Sequence, residues 1–462
     1  MQCFEKQVKI DKIEAENLRL KASLARFEKK AKDGYFGSGT PSSKKPFKEN
    51  ATAEVKNKNG GAKKGHVGLG RKSYDHNNAD QVIHVPLEGK CPNCGGKLQN
   101  KGTLNRSIID LKPPKTEKII VECEKGYCPS CKTSVKANTD IALPHSQISN
   151  SALSHVMNLH YEHGMPLSRV EALLGINHGT LFGSLHRVAD ILAPMVKALI
   201  LQYRQEKVRH ADETGWRTDG YSGYGWLFCT NRTSIFRFAD TRSAKVPEEI
   251  FGKNVLDGFL VVDRYAGYNS IKTKRQYCYS HLLRAVEDLE KEFGDVPEVL
   301  NFTNALAPLL AQAIKLRALA ISDKKFYREA QRIKRKIKKI IKSPSQHLGI
   351  KDIQRIFLEK TKHLYHWAND RDVPAENNRA ERELRPTVVA RKVSFGSQST
   401  RGAKTRSTLM SIWHTVKKRN NGQSVSDWMT TVLGKISIDP KINLASLIPR
   451  LHAPPAPTTP EN

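Results

Sequence analysis

Three acidic positions dominate the chemical content of this chain: Asp212 in HADETGW, Asp263 in FLVVDRYAGY and Glu381 in NNRAERELRP. The first two sit at or just after segments that read as β-strands, and the third opens a helical segment. Carboxylates drawn from three distant segments form an all-oxygen donor set. Hard divalent ions, magnesium or manganese, take such ligands and need few of them from the protein. The chain carries 77 Lys and Arg against 46 Asp and Glu, a formal charge of +31. In so basic a protein the natural substrate of an acidic metal site is a phosphodiester, which points to DNA or RNA strand chemistry.

A second donor set is built on sulfur. Cys91-Pro-Asn-Cys94 and Cys128-Pro-Ser-Cys131 are two C-x-x-C knuckles separated by 33 residues. Segments 104–111 and 119–123, with Pro113-Pro114 between them, read as a hairpin joining the knuckles. Four thiolates on a β-hairpin match a structural zinc ribbon, closed to water at all four positions. A redox dithiol needs only one pair. Cys123 breaks the pair symmetry and reads as a spare buried thiol. Eight cysteines used this way suit a reducing compartment better than a disulfide framework does.

The charge also bounds the partners. A polyanion bound by such a surface releases counterions, so affinity should fall steeply with salt. No apolar run reaches the ~18 residues of a membrane span, and no apolar signal segment follows the charged N-terminus. The chain therefore reads as cytoplasmic and nucleoid-associated, with no membrane partner.

The elements that must position these groups follow in order. In 1–33, Ile10, Ile13, Asn17, Leu20, Leu24 and Phe27 step by three and four, a coiled-coil seam with Asn17 at a register-fixing position; a single amphipathic helix is the alternative. Residues 34–81 form a basic linker, rich in Gly, Ser, Pro and Lys through residue 65, and 82–145 hold the zinc-binding β module. In 146–204, helices over 167–174 and 178–192 flank the turn Gly175-Ile176-Asn177, with Ser168 as a cap for the first. This is compatible with a DNA-reading helix-turn-helix in which Arg187 is the outstanding base-edge candidate, or with plain packing. From 205 to 283 the order is strands 207–212, 223–230 and 234–239, a helix 244–251, then strands 258–263 and 275–281. That succession is the one found in a ribonuclease H-like α/β core, interrupted here by a helical insertion over 284–370 and completed by 371–425 around Glu381. Within the insertion, 324–342 carries ten Lys or Arg, while Phe326, Ala330, Ile333, Ile337 and Ile340 recur at helical spacing. One face packs; the other, with Lys334, Arg335 and Lys338, meets phosphate or solvent. Residues 384–406 stay basic, with Arg385, Arg391 and Lys392 as DNA-contact candidates beside Arg401, Lys404 and Arg406. A final helix over 409–418 places Trp413 in the core, and 426–462 end in a Pro-rich, disordered tail.

The motifs DETGW, VVDRYAGY, CYSHLLR and NNRAERELRP, together with the knuckles and the heptad, resemble the insertion sequence 66 family of DDE transposases over nearly the whole chain. The resemblance implies that Asp212, Asp263 and Glu381 are the catalytic triad and hold two magnesium ions. Glu213, Glu376 and Glu383 are acidic neighbours, with Glu381 preferred because it holds the glutamate position of N-x-x-A-E-R. His281 in CYSHLLR matches a family motif, either orienting a carboxylate or phosphate or packing at a strand end. The implied activity is metal-dependent cleavage of DNA ends and strand transfer into target DNA. Its partners would be double-stranded DNA, a second copy of the chain to hold two ends, and possible helper proteins of the same element. Two other classes fit parts of the sequence: a non-catalytic DNA-binding regulator, and a ribonuclease H-like nuclease or resolvase that cuts without joining.

Overall fold

The computed structural model describes residues 116–450, together with 14, 16–17, 21, 79, 81–85 and 94–97. The chain divides into two compact units, Phe47–Ile119 and the remainder; the architecture below is that of the larger one. Of the N-terminal heptad only Asn17 is among the described residues, helical and exposed. The other heptad positions, Cys91, residues 104–111 and the tail beyond 450 lie outside them.

A short antiparallel hairpin comes first, β1 (Lys125–Cys128) and β2 (Thr133–Lys136), with Cys128 opposite Thr133. The pairing wraps the second knuckle itself, whereas 119–123, expected as a strand, is irregular. Helices α1 (Asn150–Met157), α2 (Leu167–Leu174) and α3 (His178–Gln205) follow. Asn177 caps α3 by accepting from the Gly179 N–H. Ser168 does not cap α2; Pro166 occupies that position and Ser168 lies inside the helix. Pro suits a helix start because its missing N–H is one that no intrahelical carbonyl would accept.

The centre of the unit is a five-stranded sheet of β3 (Val208–Thr218), β4 (Tyr221–Cys229), β5 (Ser234–Ala239), β6 (Phe259–Val262) and β7 (Lys274–Tyr277). Its spatial order is β5-β4-β3-β6-β7. The first three strands form an antiparallel meander, and β6 and β7 add in parallel to β3. Helix α4 (Lys245–Phe251) makes the crossover to β6. Gly258 opens β6 with φ +84, and a Cβ there would meet the Lys207 carbonyl at 2.2 Å. Only glycine lets the two backbones close on each other at that point.

Beyond β7 come α5 (Tyr279–Glu292), α6 (Pro297–Leu316), α7 (Asp323–Ile341) and α8 (Leu348–Glu359), and then α9 (Asn378–Ser394), α10 (Thr400–Arg419) and α11 (Val425–Ile438). Two corrections to the sequence expectations arise here. The segment 275–281 is not one strand: the chain leaves the sheet at Tyr277, and His281 sits in the first turn of α5. The helix holding Trp413 is not the last, since α11 follows it and runs to Ile438.

Alternation along the strands divides the interior into two cores. Ala211, Trp226, Phe228, Leu260 and Val262 face the insertion helices α5 to α8. Leu227, Cys229, Phe236 and Phe238 face α1 to α3 and α9 to α11, with Trp413 buried among them. Helices on both faces explain why β3 and β4 carry so little exposed surface. Among the described residues no helix is long and apolar enough to cross a membrane.

Candidate active site

Strand β3 is central, yet Arg209, His210, Asp212, Glu213 and Thr214 are all buried polar residues on it. Buried polar groups normally have partners, and each of these five has at least one, although Arg209 Nε and one carboxylate oxygen are left without. Arg209 donates to the Arg204 and Asp257 carbonyls. His210 Nδ1 lies 2.9 Å from Asn377 Oδ1. Glu213 Oε2 accepts from the Tyr268 hydroxyl at 2.6 Å, and its other oxygen pairs with Arg242. Thr214 accepts from Arg391 at 2.9 Å. Asp212 differs: Oδ1 accepts from the Glu213 N–H, but Oδ2 is buried without a hydrogen-bond partner.

The parallel register of β3 with β6 pairs His210 with Val261. Two residues further on, it brings Asp212 level with Asp263, on adjacent strands about 4.8 Å apart. Both stand at the carboxyl edge of the parallel strands, where open α/β sheets place ligands. Asp263 Oδ1 accepts from the Tyr265 N–H at 2.8 Å, which turns the chain out of the sheet.

Glu381 arrives from α9, and one residue fixes that approach. Asn377 Nδ2 donates to the Ala211 carbonyl at 2.8 Å while its Oδ1 meets His210. Its backbone N–H donates to Cys278 Sγ at 3.1 Å, and its carbonyl accepts from the Glu381 N–H. Asn377 thus ties the start of α9 to β3 and to the end of β7. Glu381 Oε1 is, like Asp212 Oδ2, buried with no hydrogen-bond partner.

The electrostatics couple Asp212 to both Asp263 and Glu381. Burial pushes the Asp212 carboxyl well above its usual range, and the charges of Glu213, Asp263 and Glu381 add to it. Asp263 is pushed up to about 7, by burial first and Glu213 next. Glu381 is raised by burial, against the pull of Arg284 and Arg385. Three carboxyls that resist ionisation, two of them with bare oxygens, suit divalent cations, which would supply the missing partners. Two of the neighbouring glutamates are committed elsewhere. Glu383 accepts from Ser234 at 3.0 Å and from Lys418 at 2.6 Å, and Glu213 is locked by Arg242 and Tyr268.

The remaining candidates scatter. His281 lies beside Glu381 and Cys278, their ligand atoms within 4.8 Å of one another. Arg187 borders a cavity of about 450 Å³ with His145, Asn177 and Thr180. On α7, Arg335 and Lys338 are exposed, and Lys334 and Lys338 lie over the Tyr365 ring. Arg385 and Lys392 are exposed, whereas Arg391 is turned inward to Thr214 and the Gly215 carbonyl. Arg406 is buried too, with His160 at 2.7 Å and Trp216 under its guanidinium. Cys94 and Cys131 are exposed, Cys123 and Cys128 half-buried, and all four are free thiols.

Sequence reasoning left three residues of this region unassigned: Arg284, Asn377 and Cys278. Cys278 and Arg284 stand in CYSHLLR, each three residues from His281, and Asn377 opens NNRAER. Arg284 has a buried Nη1 without a hydrogen-bond partner beside Glu381, a signal that only packing reveals.

No curated protein matches the chain. The profile described as Transposase IS66 family matches residues 145–405, more than half of the chain and the whole of the acidic site. The chain belongs to the IS66 transposase family.

Proposed function

We propose that this transposase cuts DNA at the ends of its element and joins the freed strand to target DNA, with Asp212, Asp263 and Glu381 as its acidic triad. The observation that supports the reading is the charge coupling of Asp212 to both Asp263 and Glu381, all three reluctantly ionised and two with bare oxygens. We read the sheet as ribonuclease H-like, on the strength of a central first strand flanked by an antiparallel meander and two parallel strands.

When bound there, magnesium or manganese ions supply Lewis acidity and neutralise charge at the phosphodiester. The chain's own residues do the rest. Asp212 and Asp263 hold the cations from neighbouring strands, and Glu381 completes the donor set from α9. Arg284 and Arg385, which already flank Glu381, face the phosphate charge that enters with DNA. His281 orients the carboxylate or the phosphate. Neither Tyr265 nor Tyr268 serves as a nucleophile: the Tyr268 hydroxyl is buried on Glu213, and the Tyr265 hydroxyl donates to the Arg242 carbonyl. One site then serves both hydrolysis and transesterification, because only the attacking oxygen changes.

The basic face of α7, with Lys334, Arg335 and Lys338, and the exposed Lys392 supply phosphate contacts, and Arg187 supplies another near the start of α3. Cys128 and Cys131, free thiols at one hairpin, offer two ligands for a structural zinc ion, and a second copy of the chain would hold the other DNA end.

The test combines a labelled duplex bearing an element end, a supercoiled target and magnesium. The expected result is a joined product that disappears in Asp212→Asn, Asp263→Asn and Glu381→Gln. Cleavage without joined product in the parent protein would leave a nuclease, and DNA binding with no chemistry in any form would leave a regulator.

A further inference from the structure

Cys278, His281 and Glu381 present a sulfur, an imidazole nitrogen and a carboxylate oxygen, all within 4.8 Å of one another. This mixture differs in kind from the all-oxygen set formed with the aspartates. Magnesium has little use for sulfur, whereas zinc and its cobalt surrogate take thiolate, imidazole and carboxylate together. The backbone fixes the donors. Cys278 extends the sheet by donating its N–H to the Val262 carbonyl at 2.9 Å, and it holds the N-cap position of α5. His281 follows within the first turn of α5, and Glu381 comes from the first turn of α9. The two helix starts are joined through the sulfur, which accepts the Asn377 N–H. Glu381 Oε1 is buried and lacks any hydrogen-bond partner.

We propose that Cys278, His281 and Glu381 form a three-ligand site for a thiophilic divalent ion, zinc in the first place, adjoining the aspartate pair. Binding forms a metal–sulfur bond and breaks the S–H bond, the proton leaving to solvent with no change of oxidation state. Glu381 has two oxygens and is shared: an ion held by Cys278 and His281 draws the glutamate toward α5, and its loss releases the glutamate to the aspartates. The binding needs neither DNA nor turnover, so it stands or falls apart from the strand-transfer reading.

The test uses the full-length protein, first loaded with zinc, then treated with a chelator that leaves a four-thiolate site filled but empties the three-ligand one, and finally equilibrated with cobalt(II). An ion on Asp212 and Asp263 has no sulfur ligand and gives no thiolate-to-cobalt charge-transfer band. The expected result is a charge-transfer band that excess magnesium does not remove and that Cys278→Ser abolishes, with one fewer cobalt bound per chain. His281→Ala should keep sulfur ligation but weaken cobalt binding by at least about a hundredfold, since even outer-shell changes cost ten- to a hundredfold. Equal cobalt stoichiometry and superposable spectra across the three proteins would overturn the proposal. If Cys278→Ser fails to fold by circular dichroism, His281→Ala decides alone, and unchanged cobalt affinity in it overturns the site.

Discussion

At the residue scale, the site is a place where function works against stability. Asp263 sits near 7 because burial and the Glu213 charge oppose its ionisation, and Asp212 is displaced further in the same direction. Replacing Asp263 by Asn keeps the shape and removes a charge that the metal-free fold disfavours. Asp263→Asn should therefore raise the melting temperature in chelator at pH 8 while lowering strand transfer roughly a thousandfold or more, about 4 kcal/mol of barrier. Calorimetry and the joining assay on one preparation check both halves; a variant that is less stable and still active would contradict the metal role. Asn377 gives the opposite pattern. It touches no substrate, yet it holds β3, β7 and α9 in one register. Asn377→Ala leaves the Ala211 carbonyl and His210 Nδ1 without their partner, at a cost of about 2–4 kcal/mol for two buried groups. Urea unfolding should read that loss, and joining activity should fall further than the unfolded fraction explains, because Glu381 loses its anchor. Asn377→Asp, which keeps the oxygen for His210, should recover part of the stability.

At the level of elements, helix α7 shows how cleanly a sequence pattern can divide two roles. Phe326, Ala330, Ile333, Ile337 and Ile341 are buried, while Arg335, Lys336, Lys338 and Lys339 are exposed. The buried set ends on Ile341, one residue beyond the Ile340 that the spacing suggested. Ile337→Ala should cost ~2–5 kcal/mol of stability with little effect on DNA affinity per folded molecule. The pair Arg335→Ala and Lys338→Ala should leave stability nearly unchanged and reduce the salt slope of DNA binding by about 2. Equal slopes would assign this face to solvent. The sheet was legible in its succession along the chain: 234–239 is a strand as expected, and three strands, a helix and two more strands follow in that order. The misplaced boundary at 275–281 has a physical cause. Cys278 holds the N-cap position of α5 without a side-chain capping bond, where Ser, Thr, Asp or Asn usually signal a helix start, so the run RQYCYSHLL gives no punctuation. Helix α9 runs through Pro386 to Ser394, a continuation that local propensity opposes by about 3 kcal/mol and that packing of Leu384, Thr387 and Ala390 offsets. The basic run after Glu381 misleads for the same reason: Arg391 and Arg406 are spent inside the protein, and charge in a sequence carries no direction.

For the whole molecule, the acidic site is a small negative island in a chain of charge +31, and the two respond to pH in opposite ways. Asp212 and Asp263 have folded-state values raised above the ordinary carboxyl range. Their contribution to stability is therefore most favourable below about pH 4, where both states are protonated. It is lost as pH rises through the folded value of Asp263 near 7. The rest of the protein behaves otherwise, since protonating surface carboxylates at low pH enlarges an already high positive charge and its self-repulsion. A plain pH–stability curve sums the two and isolates neither. The difference between magnesium-loaded and chelated protein isolates the site, because the global charge is common to both. Magnesium binds the ionised carboxyls and competes with protons for them, so its stabilisation should be small at pH 5 and grow steadily to pH 8. Thermal melts at fixed ionic strength measure it, with calcium alongside as a cation of equal charge. A magnesium increment that does not change between pH 5 and 8, or that survives in the variant carrying both Asp212→Asn and Asp263→Asn, would place the cation elsewhere on the molecule and remove the acidic edge of the sheet from the chemistry.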